Sequence, residues 1–164
     1  MDWRRALWFG LAGSLLVGYV LLHTGLLPVP TGVDDRRGLR VTDCEETVRG
    51  RLDVAVAESF AQQYVGLSRT ESLADEEGML FVHDEDGERG IGMRNMDFPL
   101  DVLFVSADGE ITSVETLDAP DSPLSYYVTY GTTSGQGRYV VEANAGWSEA
   151  RGVSAGDCVR GLPR

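Results

Sequence analysis

The chain has 164 residues, enough for one small domain and a short additional segment, with a formal net charge of −12. This charge disfavours the basic surface that binding to nucleic-acid phosphates requires, so we expect no nucleic-acid partner. All 14 of its Lys+Arg residues are arginine, which is typical of an acidic halophile protein in molar salt; an acidic exported domain from a GC-rich genome is the alternative.

The first segment of the chain is apolar. Residues 6–27 contain no Asp, Glu, Lys or Arg and follow Arg4 and Arg5. As a helix, these 22 residues would span roughly 33 Å, close to the hydrocarbon thickness of a bilayer. We therefore predict a transmembrane anchor at 1–27. The alternatives are a cleaved signal peptide, which lacks its small-residue cleavage site here, and a buried core helix, which lacks a polar stripe.

The basic residues around this segment predict its orientation. Arg4 and Arg5 lie directly before it, whereas the arginines on the other side begin only at Arg36. The positive-inside rule then favours a cytoplasmic N-terminus and a single-pass protein of the cell membrane with its domain outside. Residues 28–40 are rich in Pro, Gly, Asp and Arg and are predicted to be a linker, followed by a globular domain at 41–164.

The globular part shows the patterns of short strands. Residues 51–58 alternate well enough for a strand, and Ser59 and Gln62 form the pattern of a capping box for a helix that Gly66 can end. Further strands are predicted at 79–82, 90–95, 100–105, 110–116, 125–130 and 138–144, with a hairpin tip at 83–88, a mobile segment at 131–137 and a short helix at 145–151. This pattern predicts a mainly β (α+β) fold, a compact small barrel or sandwich with one or two short helices.

The two cysteines lie near the two ends of the globular part, at Cys44 and Cys158. If the domain faces outside, a disulfide between them is plausible, because oxidising compartments preserve such bonds. Two unpaired thiols are the alternative, since the sequence does not give the distance between the two Cα atoms.

Two acidic residues occur in apolar strands. Asp101 shares a strand face with Leu103, and Glu142 lies beside Val140. A buried carboxylate needs a donor, and the sequence offers Arg94 or Asn95 to Asp101. We predict a polar pocket for a small ligand, such as a sugar or a carboxylate, formed by Met93, Arg94, Asn95, Asp101, Glu142, Asn144 and Trp147. The alternative is a self-satisfied polar network that only fixes the fold.

Other kinds of site find little support in the sequence. The acidic residues of 83–88 fail the spacing of an EF-hand, so no metal site is predicted. The chain lacks a G-x-S-x-G motif, a P-loop and a dinucleotide fingerprint. No catalytic residue and no cofactor are therefore assigned.

Several motifs recur in order between residues 52 and 159: Gly66-Leu67, Arg69, Glu77-Gly78-Met79-Leu80-Phe81, Gly92-Met93-Arg94-Asn95, Pro99-Leu100-Asp101, Asp108-Gly109, Tyr139-Val140-Val141-Glu142-Ala143-Asn144-Ala145-Gly146 and Gly156-Asp157. In these motifs the chain resembles the DUF192 family, as a haloarchaeal-like member. The resemblance implies a small, mostly β domain of bacteria and archaea, often behind a signal or anchor, without an agreed activity or cofactor. Where the family usually has a Phe-Trp pair, this chain has Ile91 and Gly92.

The expected function is a non-catalytic one. We expect a membrane-anchored, extracytoplasmic module that binds a small polar ligand or an envelope protein. A carboxylate-based hydrolase acting on envelope glycans is the alternative from the enzyme class, because the positions of the many acidic residues allow a catalytic pair. A structural partner in an envelope complex is the third possibility.

Overall fold

The computed structural model of the chain describes residues 14, 17, 18, 33, 35–122 and 132–164. The predicted anchor at 1–27 lies almost wholly outside these residues, as does the strand predicted at 125–130. Within them, no helix has the length and apolar character that crossing a membrane requires. The chain divides into two units, 1–30 and 31–164, and the second contains the sheet.

The described part of the second unit consists of seven strands and two short helices. They are β1 (Arg36–Thr42), β2 (Val48–Ala57), α1 (Phe60–Val65), β3 (Glu77–Gly92), β4 (Leu100–Val105), β5 (Ile111–Leu117), β6 (Thr132–Asn144), α2 (Trp147–Arg151) and β7 (Cys158–Arg160). The strands form one sheet in the order β5-β4-β6-β3-β2-β1-β7. All neighbours are antiparallel except β2 and β3, which are parallel and are therefore joined by a crossover that contains α1.

The sheet curls until its two outermost strands meet at one end. Glu110, directly before β5, forms a bridge with Cys158 of β7. Beside it, the amide of Ile111 donates to the carbonyl of Asp157 at 2.8 Å, and the amide of Val159 donates to that of Gly109 at 2.7 Å. The predicted mainly β class is confirmed, in the form of a curled, half-barrel sheet with two short helices.

Both faces of the sheet are buried. One face, here called the Trp147 face, carries a core that includes Leu39, Leu103, Val141 and Trp147. The opposite face, here called the Met93 face, carries a second core that includes Met79, Phe81, Met93, Met96 and Val102. All six residues of β4 are buried for this reason, since alternate side chains point to the two cores.

Helix α1 begins and ends where the sequence predicts. The Ser59 hydroxyl accepts from the Gln62 amide at 3.3 Å, and the Gln62 side-chain oxygen accepts from the Ser59 amide at 3.0 Å. Gly66, at φ 50°, ends the helix, a conformation that glycine adopts with little strain. The predicted capping box is confirmed, and it fixes the direction in which the chain leaves β2.

The predicted hairpin tip at 83–88 is wrong. These residues continue β3, a single strand of 16 residues. Its pairing with β6 shifts register between Val82 and Gly87, so a bulge takes up the extra residues without reversing the chain. The partner residues 132–137, predicted to be part of a mobile segment, are the first half of β6. The acidic composition of 83–88 and the Gly-rich composition of 132–137 are typical of turns, but the pairing of β3 with β6 makes both segments extended.

Strand β1 begins at Arg36, inside the segment 28–40 that was predicted to be a linker. The Arg36 guanidinium lies 3.0 Å from the carboxylates of both Asp53 and Glu77. These ion pairs and the pairing with β2 hold a segment that has few apolar residues of its own. The sheet therefore starts five residues earlier than the predicted domain boundary at Val41.

A disulfide joins Cys44 and Cys158, whose Cα atoms are 5.0 Å apart. It connects the turn after β1 to the last strand, across 114 positions of the sequence. In the chain-entropy treatment, a crosslink that closes a loop of this length stabilises a fold by about 4–5 kcal/mol.

Candidate functional site

The two buried acids of the predicted pocket lie on neighbouring strands. Asp101 of β4 is paired with Ala143 of β6, and Val102 is paired with Glu142. Because side chains alternate along a strand, Asp101 points to the Trp147 face and Glu142 to the Met93 face. The structure thus separates the seven candidate residues into two groups with the sheet between them.

Asp101 is fully engaged in hydrogen bonds within the fold. Asp101 is 1% exposed. Its carboxylate accepts a hydrogen bond from the Thr116 hydroxyl at 2.8 Å and from the amides of Gly146 and Ser148 at 3.1 and 2.8 Å. The two amides belong to the start of α2, so a strand residue caps this short helix. The donors are not Arg94 or Asn95, which follow the end of β3. At Asp101 the structure thus has the alternative to a ligand pocket, a self-satisfied polar network within the fold.

Glu142 has the opposite environment. It is 5% exposed and lies directly across from Met79 on β3 and Val102 on β4. Among the residues that the structure describes, none donates a hydrogen bond to its carboxyl and none forms an ion pair with it. Burial among these apolar neighbours raises the pKa of Glu142 to about 8. The side chain is therefore mostly protonated at neutral pH and can donate a hydrogen bond.

The Glu142 side chain lines a cavity of about 220 Å³, here called the Glu142 cavity. Residues 63–68, from α1 and the turn after it, form one wall, and residues 90–92 at the end of β3 form another. Phe81, Met96 and Leu100 add apolar surface, and Arg94 adds the positive charge. The polar side chains of Gln63, Tyr64, Ser68, Arg94 and Glu142 line this concave site together with the apolar ones, a mixture that suits the binding of a small molecule.

Arg94 is held in this cavity by contacts with α1. One of its terminal nitrogens, Nη2, donates to the Tyr64 carbonyl at 2.7 Å, and its guanidinium carbon lies 4.5 Å from the centroid of the Tyr64 ring. The Tyr64 ring stacks in turn on Phe60, with centroids 6.1 Å apart. Phe60 is 82% exposed. A stacked row of Phe60, Tyr64 and Arg94 thus leads from the surface into the cavity lining.

The remaining candidate residues do not line the Glu142 cavity. Met93 is fully buried in the apolar core of the same face, whereas Asn95 is exposed in the turn after it at φ 55°. Asn144 donates to the carbonyls of Leu73 and Ala74, both at 3.1 Å, and so holds the loop before β3. Trp147 belongs to the other face. Of the seven, the structure brings Arg94 and Glu142 to one cavity.

The wall formed by 63–68 was missing from the sequence prediction. The alternating pattern around Glu142 predicts a strand, but no pattern in the sequence predicts which helix covers that strand. Phe60 and Tyr64, four positions apart, share one helix face, but the contact of Tyr64 with Arg94 joins residues thirty positions apart. The structural signal for the site is a buried acid without a donor among the described residues, which a sequence does not reveal.

The geometry of the candidate residues limits the chemistry that they can perform together. They contain no group of three or more His, Cys, Asp and Glu side chains arranged to hold a metal ion. A pair of catalytic carboxylates must flank one bond, and Asp101 and Glu142 face opposite sides of the sheet. The Glu142 cavity offers one guanidinium and one carboxyl that carries a proton.

A family model identifies the family of the chain, and two solved structures have a similar fold. The model of the family DUF192, described as "Uncharacterized ACR", matches residues 41–161. A solved structure described as "a putative transcription regulator" from Sinorhizobium meliloti 1021 is 27% identical, with a TM-score of 0.66 over 77% of this chain and 94% of that one. A protein of unknown function from Novosphingobium aromaticivorans DSM 12444 is 29% identical, with a TM-score of 0.58 over 75% and 83%. No curated protein matches the chain.

Proposed function

The chain belongs to the DUF192 family, and we propose that it is a membrane-anchored, extracytoplasmic module that binds a small polar ligand in the Glu142 cavity without catalysing a reaction. The observation that carries this proposal is the buried carboxyl of Glu142, which has no partner among the described residues. A ligand that enters the cavity supplies the missing hydrogen-bond partner.

The energetic argument rests on the comparison of two acids in one sheet. A buried polar group without a partner costs about 1–3 kcal/mol, and a buried unpaired charge costs more. At Asp101 the fold avoids this cost with three donors. At Glu142 no described residue supplies a donor, and the carboxyl lies at the cavity instead. Buried groups with a shifted pKa concentrate at functional sites. A polar group that is already hydrogen-bonded within the fold is not available to bind a ligand.

The size of the cavity limits the ligand. A water molecule takes about 30 Å³ in the liquid, so 220 Å³ corresponds to about seven water molecules. Sites for drug-sized molecules are larger, about 300–1,000 Å³. The ligand we propose is therefore a small metabolite or the terminal unit of a longer molecule.

The location that we propose rests on sequence and on the disulfide. The apolar segment 6–27 and the arginines before it support an anchor with the domain outside. The Cys44–Cys158 disulfide fits an oxidising compartment. The net charge of −12 supports a haloarchaeal-like member and disfavours nucleic acid as a partner, although one similar structure is described as a putative transcription regulator. Protease treatment of intact cells tests the orientation, because an outward-facing domain is digested without lysis.

Binding is tested by calorimetry on the full-length chain in detergent. The probes are a neutral monosaccharide series, short carboxylates and short amines, each titrated into the wild type, Glu142→Ala and Glu115→Ala. Glu115 is an exposed glutamate of β5 and serves as the matched control. We expect one probe class to bind the wild type and Glu115→Ala, and Glu142→Ala to bind it at least tenfold more weakly. If no class binds, or if Glu142→Ala binds like the control, the proposed function is wrong.

A further inference from the structure

We propose that the ligand of the Glu142 cavity is a short carboxylate anion, held between the Arg94 guanidinium and the Glu142 carboxyl. This inference rests on the proposed binding function and adds the charge and chemical class of the ligand. It comes from the charge of the cavity, the donors that remain available there, and the character of its walls.

The cavity contains a positive charge without an acidic partner in the described part of the chain. The chain carries 26 acidic residues against 14 arginines. Arg36 pairs with Asp53 and Glu77, and Arg49 pairs with Asp157 at 2.9 Å. Arg40 and Arg51 form no ion pair within the described residues but are exposed to solvent, whereas Arg94 is half-buried at the cavity. Arg94 forms no such pair there, and its polar contact is with the Tyr64 carbonyl. In a chain with an excess of acids, a cation without a counterion that lines a cavity favours an anionic ligand.

Both polar ends of the cavity are able to donate. A guanidinium has five N–H groups in a planar fork that matches a carboxylate, and the bond to Tyr64 uses one of them. Glu142 keeps its proton at neutral pH, because burial raises its pKa to about 8. A ligand carboxylate accepts from both, whereas an amine would meet Arg94 with a like charge. Because Glu142 is protonated, it forms a hydrogen bond with the ligand carboxylate without a cation between the two groups.

The walls between these ends favour an aliphatic body. Leu67, Phe81, Met96 and Leu100 line the cavity and offer no side-chain hydrogen-bond partners to the hydroxyls of a sugar ring. Gln63 and Ser68 also line it, but Gln63 donates to the carbonyls of Ala57 and Val82, and the Ser68 hydroxyl donates to that of Val65. Burying such hydroxyls without partners opposes binding. A chain of a few methylene groups gains about 0.8 kcal/mol for each group buried. The expected ligands are therefore short fatty or branched-chain acids.

The proton on Glu142 gives binding a pH signature. The groups that face Glu142 are the apolar Met79 and Val102 on the flanking strands, and Tyr64 and Arg94 are the titratable groups of the cavity lining. As pH rises above about 8, Glu142 ionises, and two carboxylates would then share one site. Affinity for an anion should fall about tenfold per pH unit in that range, while affinity for a neutral ligand should fall less.

The test is calorimetry with the full-length chain in detergent at pH 7 and pH 9. The probes are sodium acetate, butyrate and hexanoate, with butyramide and n-butylamine as the neutral and cationic counterparts of butyrate. We expect butyrate to bind at least tenfold more tightly than butyramide, n-butylamine not to bind, and butyrate affinity to drop about tenfold between pH 7 and pH 9. In Glu142→Gln, which keeps a donor and cannot ionise, butyrate should lose this pH dependence.

A variant at Arg94 provides the second arm. Arg94→Gln should weaken butyrate binding at least tenfold and leave butyramide within threefold, which also shows that the cavity is intact. Arg40→Gln removes an exposed arginine of β1 and should change neither. If a monosaccharide or butyramide binds as tightly as butyrate, or if Arg94→Gln leaves butyrate unaffected, the carboxylate inference is overturned while the binding function stands. If no probe of any class binds, both are overturned.

Discussion

Asp101 and Glu142 occupy adjacent register positions of two neighbouring strands, yet the sheet separates their side chains. The carboxylate of Asp101 accepts three hydrogen bonds from the fold, and that of Glu142 accepts none from the described residues. Two acids with similar sequence surroundings therefore have different consequences. Asp101 holds β4, β5 and α2 together, while Glu142 is available to a ligand.

Replacing Asp101 should destabilise the fold without a specific effect on the site. In Asp101→Ala, the Thr116 hydroxyl and the amides of Gly146 and Ser148 lose their acceptor, and the contact with Ser148 is buried. We expect a loss of at least about 3 kcal/mol in the free energy of unfolding, from urea denaturation, and a smaller loss for Asp101→Asn, which keeps one acceptor oxygen. Asp118→Ala, at an exposed position after β5, should stay within about 0.5 kcal/mol of the wild type. Equal stability of the two alanine variants would contradict the structural role.

The stability of the wild type should fall as pH rises through the neutral range. Burial raises the pKa of Glu142 to about 8 from an ordinary value of 4.5. The folded state thus binds this proton more tightly than the unfolded state does. The resulting stabilisation is complete below about pH 4.5 and is lost progressively up to about pH 8, with a total of up to about 5 kcal/mol.

Glu142→Gln isolates this contribution. Urea denaturation at pH 5, 6, 7 and 8 should show the wild type losing stability relative to Glu142→Gln at each step. Glu115→Gln, which removes an exposed carboxyl, should follow the wild type. A difference between the wild type and Glu142→Gln that does not change with pH would show that burial does not raise this pKa.

Strand β3 approaches β6 so closely that position 78 has no room for a side chain. A Cβ at Gly78 would collide with the carbonyl oxygen of Glu142. We expect Gly78→Ala to lower the free energy of unfolding by about 1–3 kcal/mol, because the two strands must move apart. At Gly38 of β1, a Cβ meets nothing within 4 Å, so Gly38→Ala is the control and should not destabilise. Thermal unfolding that ranks the two variants the other way would contradict this packing.

Reduction of the Cys44–Cys158 disulfide should lower stability by about 4–5 kcal/mol, because the unfolded chain regains the freedom of a long loop. The measurement is urea denaturation with and without a thiol reductant. A Cys44→Ser/Cys158→Ser variant should have the stability of the reduced wild type and should not respond to the reductant. A variant that still responds would point to a different origin of the effect.

Local patterns in the sequence were sufficient for the elements that depend on neighbours along the chain. The capping box at Ser59 and Gln62 and the alternation of β4 are of this kind, because the interacting residues are a few positions apart. They identified the mainly β class and the two acids in strands. The membership of the family is supported by motifs in the same order.

The features that the sequence did not reveal depend on pairing across distance. Residues 83–88 contain turn-forming residues, but pairing with β6 keeps them in an extended strand. The opposite directions of Asp101 and Glu142 follow from the relative register of β4 and β6, which no pattern within one strand gives. The cover of the Glu142 cavity by 63–68 is likewise set by the crossover between two parallel strands.

The Cys44–Cys158 bond turns most of the sheet into a covalent ring. A single peptide cleavage between these residues, for example in the segment 118–122 after β5, opens the ring but does not release a fragment. The two pieces stay in one molecule and run as one species on a non-reducing gel, separating only after a reductant is added. A domain exposed to proteases outside the cell would in this way survive a first cut with its strands still together.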